Sequence, residues 1–298
     1  MKKTIAILIL LFSIFTFSFC SKNDSTIIIC GKIENASNSR INLIRSCVFG
    51  SKHFYTQSDS IGNFYFRVDF NDIKHYGLFV KRLNIIPLFV EPGDSIYLSF
   101  NQSELEEYHD FLMIPTYTGK GHEKNKHFYF LLKDRLDYQD TIGKLRELED
   151  PFKYRSVFLN KLDSEEKEII KYFRKYPDLN DLKEYAIEDN KYFWLTMAMK
   201  YHHIKKGVDI KKFPLTLDSL GYFNFIDEYA PYSVGSEYTE WFEFFINEYL
   251  LYLAFTKKGV FFFDIEAEDQ VKYIMDNTNG IIQKACLARF EKLYGGSK

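Results

Sequence analysis

Around Gly119-Lys120-Gly121 the chain changes its hydrophobic period, and that change limits the possible folds more than any other feature. Before it, apolar and polar residues alternate, as in strands with one buried face. After it, apolar residues recur every three or four positions, as on a helix. Phe64, Phe66 and Val68 alternate with Tyr65, Arg67 and Asp69, whereas Phe128, Leu131, Leu132 and Leu136 share one helical face. A run of short strands followed by a run of helices is the pattern of an α+β protein. The expectation is an N-terminal antiparallel β-sandwich or open barrel followed by an α-helical domain.

The stretch from Ile85 to Asn125 carries the handover. Leu88-Phe89-Val90 and the alternating Ile96, Leu98 and Phe100 flank Pro92-Gly93. Proline fixes φ and glycine accepts a positive φ, so a tight turn is expected, read here as a β-hairpin. Strands are expected over 26–35, 40–48, 53–57, 63–70, 75–82, 86–91 and 94–100. The β-domain then occupies 26–101, a connector 102–120, and the helical domain 121–298. Within that domain Asp163-Ser164-Glu165-Glu166 looks like a helix start, with the helix stopping near Tyr176 ahead of Pro177. Helices are also expected over 182–205, 241–255, 267–276 and 279–294. The segment Trp241–Phe255 is apolar nearly all round and should sit at the centre of the bundle. No internal repeat and no Pro- or Ser-rich linker interrupts the chain.

The first residues read as an export signal. Lys2 and Lys3 precede an apolar run from Thr4 to Phe19, then Cys20 and the polar Ser21-Lys22-Asn23-Asp24. That run is too short for a membrane span. A cysteine at this point resembles a bacterial lipoprotein signal, which implies cleavage after residue 19 and a lipid on Cys20, with 20–25 as a tether. The residue before such a cysteine is normally small, and here it is Phe19. An ordinary secretory cleavage site and an uncleaved anchor therefore stay open.

Export would place the other cysteines, Cys30, Cys47 and Cys286, where disulfides persist. If the first two strands paired about Ser37-Asn38-Ser39, one register would set Ile29 against Val48, Ile33 against Ile44, and Cys30 opposite Cys47. A Cys30–Cys47 bridge is one reading, and two small buried hydrophobes the other, since a one-residue slip undoes the pairing. Cys286 shares a helical stripe with Ile282, Phe290 and Leu293 and reads as a core thiol.

Aromatic residues make up 18% of the chain, which points to a core rich in Phe and Tyr. The net charge of −2 becomes −4 once Lys2 and Lys3 are removed, and no Lys/Arg block appears, so no nucleic-acid partner is expected. Tests for chemistry fail one by one. Gly119-Lys120-Gly121 lacks the spacing of a phosphate loop, and the acids Asp264, Glu266, Glu268 and Asp269 lack that of a calcium loop. The histidines at 53, 75, 109, 122, 127, 202 and 203 have no metal-ligand spacing. Val234-Gly235-Ser236-Glu237 is not a nucleophile elbow, and neither G-x-G-x-x-G nor C-x-x-C occurs. No catalytic residue, cofactor or metal is expected.

Leu88–Phe100, read as LFVEPGDSIYLSF, and the following YTGKGHEKN resemble the N-terminal part of envelope lipoproteins of the TlpA-like thiol–disulfide oxidoreductase group. Ile29-Cys30-Gly31-Lys32-Ile33-Glu34-Asn35 is similar to the opening strand of their β-domain. Pro92, Gly93 and Asp94 match its turn, and Gly119, Gly121 and Asn125 match its handover to helices, with FRKYPDL at Phe173–Leu179 as a helix end. The resemblance spans roughly residues 26–295. That family carries a thioredoxin domain with C-x-x-C after the helices, and this sequence stops where that domain would begin, so the redox activity is not carried over. What the resemblance implies is a lipid-anchored outer-membrane protein of the cell envelope, facing the periplasm or the outside. Its role would be non-catalytic binding or accessory work with a protein partner. Two alternatives stand beside it: a truncated or split oxidoreductase, and a surface glycan- or peptide-binding lipoprotein using exposed aromatics. Burial of Trp194 and Trp241 would count against the last.

Overall fold

The computed structural model describes residues 25–69, 74–80, 83–103, 115–136, 145, 148–201, 213–229, 235–258 and 265–294. The expected signal, Cys20 and most of the tether lie outside the described residues, as do His109, His202 and His203.

Among the described residues eight strands run through the first part: β1 Thr26–Glu34, β2 Arg40–Cys47, β3 Gly50–Gln57, β4 Asn63–Asp69, β5 His75–Val80, β6 Leu83–Phe89, β7 Ser95–Asn101 and β8 Thr116–Lys120. They form two four-stranded sheets, ordered β4-β1-β7-β8 and β3-β2-β5-β6. We call these sheets A and B. All neighbours are antiparallel except β1 and β7, which run parallel. The inward rows interlock into one core, with Ile27, Ile29 and Ile33 of β1 in the same cluster as Ile41, Leu43 and Leu78 from sheet B. The fold is therefore α+β with an open sandwich at its N-terminal end, as the alternation implied.

Which strand pairs with which differs from the sequence reading. β1 and β2 do not form a hairpin: β1 lies in sheet A between β4 and β7, and β2 lies in sheet B between β3 and β5. The chain turns between the sheets through Asn35 and Asn38, both at positive φ (63° and 51°). Cys30 therefore stands opposite Tyr65 and Tyr97, Cys47 opposite Gly50, and both thiols are free. The bridge depended on a register that the fold does not use. The turn at Pro92-Gly93 forms, with Gly93 at φ 77° and the Asp94 amide donating to Glu91 O at 3.1 Å. It joins strands of opposite sheets rather than a hairpin, because the Ile28 amide donates to Asp94 O at 2.9 Å and draws β7 onto β1. The end of the expected connector is also strand: β8 pairs with β7, setting Tyr97 against Thr118.

The helices are α1 His122–Leu136, α2 Pro151–Phe173, α3 Asn180–Met199, α4 Phe213–Ser219, α5 Phe225–Tyr229, α6 Glu240–Lys258, α7 Ala267–Asn277 and α8 Gly280–Tyr294. The helix start expected at Asp163–Glu166 lies inside α2. Pro151 takes the first helical position and Asp150 caps it, accepting from the Phe152 amide at 2.9 Å and the Lys153 amide at 3.3 Å. Ser164 turns its hydroxyl back onto Lys161 O at 3.0 Å instead of capping. The stop before Pro177 is real, with Arg174 as the C-cap. α3 is buried nearly all round and α6 packs against it, so the aromatic excess goes into this core: Tyr154, Phe158, Tyr192, Trp194, Tyr222 and Phe242 are fully buried. Cys286 is there too, at 0% exposure. Among the described residues no helix is long and apolar enough to cross a membrane.

Replacing the observed cap, Asp150→Ala, is expected to cost about 1 kcal/mol in urea unfolding, whereas Asp163→Ala, on the exposed middle of α2, should stay within about 0.5 kcal/mol.

Candidate functional site

The residues that carry the family resemblance converge where sheet B meets the helices. β6 is an outer strand of sheet B, so its free edge offers unpaired main-chain groups. Asn125, on the first turn of α1 and fully buried, takes that edge. Its Nδ2 donates to Phe89 O at 2.9 Å and its Oδ1 accepts from the Phe89 amide at 2.9 Å, so one carboxamide imitates a neighbouring strand. Phe89 then packs against Phe128 and Tyr185, with ring centroids 5.8 and 5.4 Å away, in a small apolar cluster shared by sheet and helices.

The glycines are required by close approach. A Cβ on Gly121, at φ 90°, would sit 2.5 Å from the Asp94 carboxyl carbon, and one on Gly119, at φ 91°, would sit 2.2 Å from Ser95 O. Absence of side chains there lets the β8–α1 corner close over the Glu91–Asp94 turn. The turn's acids meet Lys124 of α1. Its Nζ lies 2.7 Å from Asp94 Oδ2 and also bonds Glu91 Oε2, with the side chains of Lys124 and Asp94 only 11% and 4% exposed. Asp94 Oδ2 also accepts from the Glu91 amide at 2.7 Å. Lys74 extends the chain of charges outward, bonding Asp181 of α3 at 2.5 Å and approaching Glu91 at 3.9 Å. The hydrogen bond from Lys74 holds the Asp181 carboxyl below its ordinary value, and the neighbouring cations act in the same direction. His75 fills the seam, its ring 5.4 Å from Phe128 and its Nδ1 3.7 Å from Glu240 of α6.

Chemically this is a fastening. Every charge in it has an opposite partner, and the buried amide is fully used. Sequence reading picked out Pro92, Gly93, Asp94, Gly119, Gly121 and Asn125 and the structure brings them together, but it missed Lys124 and Glu91. Lys124, one residue before Asn125, stands beside a conspicuous motif yet gives no sign of its distant partners. Other polar residues lie elsewhere. Ser236 donates to Glu188 Oε2 at 2.6 Å, and Lys191 reaches the same carboxylate at 2.7 Å. That serine is fully buried and joins the turn before α6 to α3, where Asp189 accepts from the Trp241 amide at 3.0 Å. His122 bonds Gly119 O, and His127 bonds the Tyr172 hydroxyl at 2.6 Å; neither is part of a metal-binding group among the described residues.

The thiols are poorly placed for exchange chemistry. Burial raises the three described ones, Cys30, Cys47 and Cys286, with Cys286 pushed up to about 12. Trp194 is buried, and Trp241 is half-buried between Phe193 and Phe244 at 4.5 and 4.7 Å. A shallow open groove of about 480 Å³ lies on the far side of sheet B, lined by Asn38, Arg40, Tyr55, Thr56 and Gln57. No family model, curated protein or solved structure matches the chain.

Removing Lys124 leaves Asp94 as a buried carboxylate without its cation, so Lys124→Met is expected to cost about 3–5 kcal/mol in urea unfolding. Lys74→Met, nearer the surface, should cost at most about 1 kcal/mol. Thiol labelling of the folded chain with an aromatic disulfide reagent at mildly alkaline pH is expected to reach Cys30 first and Cys286 only on unfolding.

Proposed function

We propose that this chain is a binding or accessory protein of the cell envelope, held to the membrane by a lipid on Cys20, with no catalytic chemistry of its own. The observation that carries the reading is how the motif residues are used. Asn125, Lys124, Asp94 and the two glycines are taken up in joining sandwich to helices, which suits a scaffold that presents surfaces. The thiols support it, because exchange requires an accessible thiolate of low pKa with a second thiol nearby. Here Cys30 lies in sheet A, Cys47 ends β2 of sheet B, and Cys286 lies in α8. The resemblance to TlpA-like envelope lipoproteins suggests that its partner is a protein of the same compartment, thiol–disulfide oxidoreductases included. A second reading, a surface binder of glycan or peptide, is favoured by the groove beside Tyr55, a residue that is 55% exposed.

Two measurements test this. The purified chain is expected to leave insulin disulfides intact in the presence of dithiol reductant beyond the uncatalysed rate; acceleration would overturn the non-catalytic reading. Mass spectrometry of the N-terminal peptide is expected to show an acylated Cys20, with Cys20→Ser releasing the chain from membranes; unchanged membrane retention would remove the tether.

A further inference from the structure

The two edges of sheet B are treated differently. At the β6 edge Asn125 takes up the main chain of Phe89, whereas β3, at the other edge, pairs its main chain with β2 alone among the described residues. β3 is also highly exposed along its length: Ser51, Lys52, His53, Tyr55 and Gln57 all face water, and Phe54 is the side chain that packs inward on the sandwich core. An uncovered edge of eight residues is a ready template for another strand.

The charge around this edge is one-sided. From Asn35 to Ser58 the chain contains no Asp or Glu, although 41 of its 298 residues are acidic. The same stretch carries Arg40 and Lys52 on the surface, and among the described residues neither has a carboxylate within ion-pair distance; Arg45 is turned instead toward the buried Tyr76. Arg40 lies over the Tyr55 ring at 4.4 Å, and both line the open groove together with Asn38 and Gln57. A cationic hairpin on a chain of net charge −2 is complementary to an anionic partner.

We propose that β3 is a docking edge for an extended, acidic segment of another envelope polypeptide, which adds a fifth strand to sheet B and sets a side chain into the Arg40–Tyr55 groove. The proposal rests on the binding role inferred above and specifies its partner chemistry. Main-chain pairing with a free edge selects a polypeptide over a polysaccharide, since only a strand supplies matching amides and carbonyls. Pairing with a second copy of the same edge would set two cationic strands side by side, a repulsive arrangement.

The test is a selection of random displayed peptides on the full chain in detergent, followed by solution binding of the enriched sequences. Enriched peptides are expected to be rich in Asp and Glu and to protect the β3 amides from hydrogen exchange. Methylating the peptide's alternate amides should abolish binding in the phase that faces β3 and be tolerated in the phase that faces away, and Arg40→Glu with Lys52→Glu should weaken binding by roughly tenfold or more. Both substitutions are on the surface, and unchanged circular dichroism would confirm that the fold persists. No enrichment, or peptides without acidic bias, or binding that survives amide methylation in both phases, would overturn the proposal. So would equal competition by polygalacturonate, which would mark a surface for polyanions in general. Any of these failures leaves the insulin and Cys20 results untouched, so the parent reading stands or falls separately.

Discussion

A buried polar group must be paired where it sits, and Asn125 can be paired only if α1 lies against the edge of β6. That single requirement sets the arrangement of the molecule. Once the carboxamide bridges the Phe89 main chain, Lys124 is carried to the Glu91–Asp94 turn, and Phe128 is carried onto Phe89. The turn cannot drift, because its own next residues are already woven into sheet A through β1. The helices are thereby fixed to one side of the sandwich. One edge of sheet B is capped at Phe89, and the other pairs only with β2 among the described residues.

The energetic weight of the junction comes from burial. Surface ion pairs contribute little, but Lys124 and Asp94 are largely withdrawn from water, so neither charge is tolerable without the other. The glycines at 119 and 121 contribute by taking up no room. The same corner built with any side chain would collide with Ser95 or Asp94. Sheet, turn and helix therefore specify one another, and the outer Lys74–Asp181 pair adds a solvent-facing margin.

Much of this could be read in the sequence, because it is local. Alternation in Phe64–Asp69 marks a strand wherever that strand is placed, and the nearly all-round apolar run of 241–255 marks a helix packed in the helical core, beside the still more buried α3. What could not be read is long-range. β1 and β2 each satisfy the alternation of a hairpin, and nothing in either strand reveals that they belong to opposite sheets. The same is true of β6 and β7, where Pro92-Gly93 specifies a turn but not which sheet receives the next strand. The acids at 163–166 imitate a helix start, since their chemistry is right for one, but Asp150-Pro151 supplies a stronger start thirteen residues before Asp163 and the helix runs through. Of the site, the motif glycines and Asn125 were visible, whereas the partners of Lys124 are thirty or more positions away and leave no periodic trace.

This junction makes sandwich and helices one cooperative body. Native-state hydrogen exchange across a urea series tests it most directly, by comparing the slowest amides of β1 and β2 with those of α3 and α6. A single opening free energy shared by strands and helices is the expected result. Helices that open at a separate, lower free energy while the sandwich stays closed would contradict it.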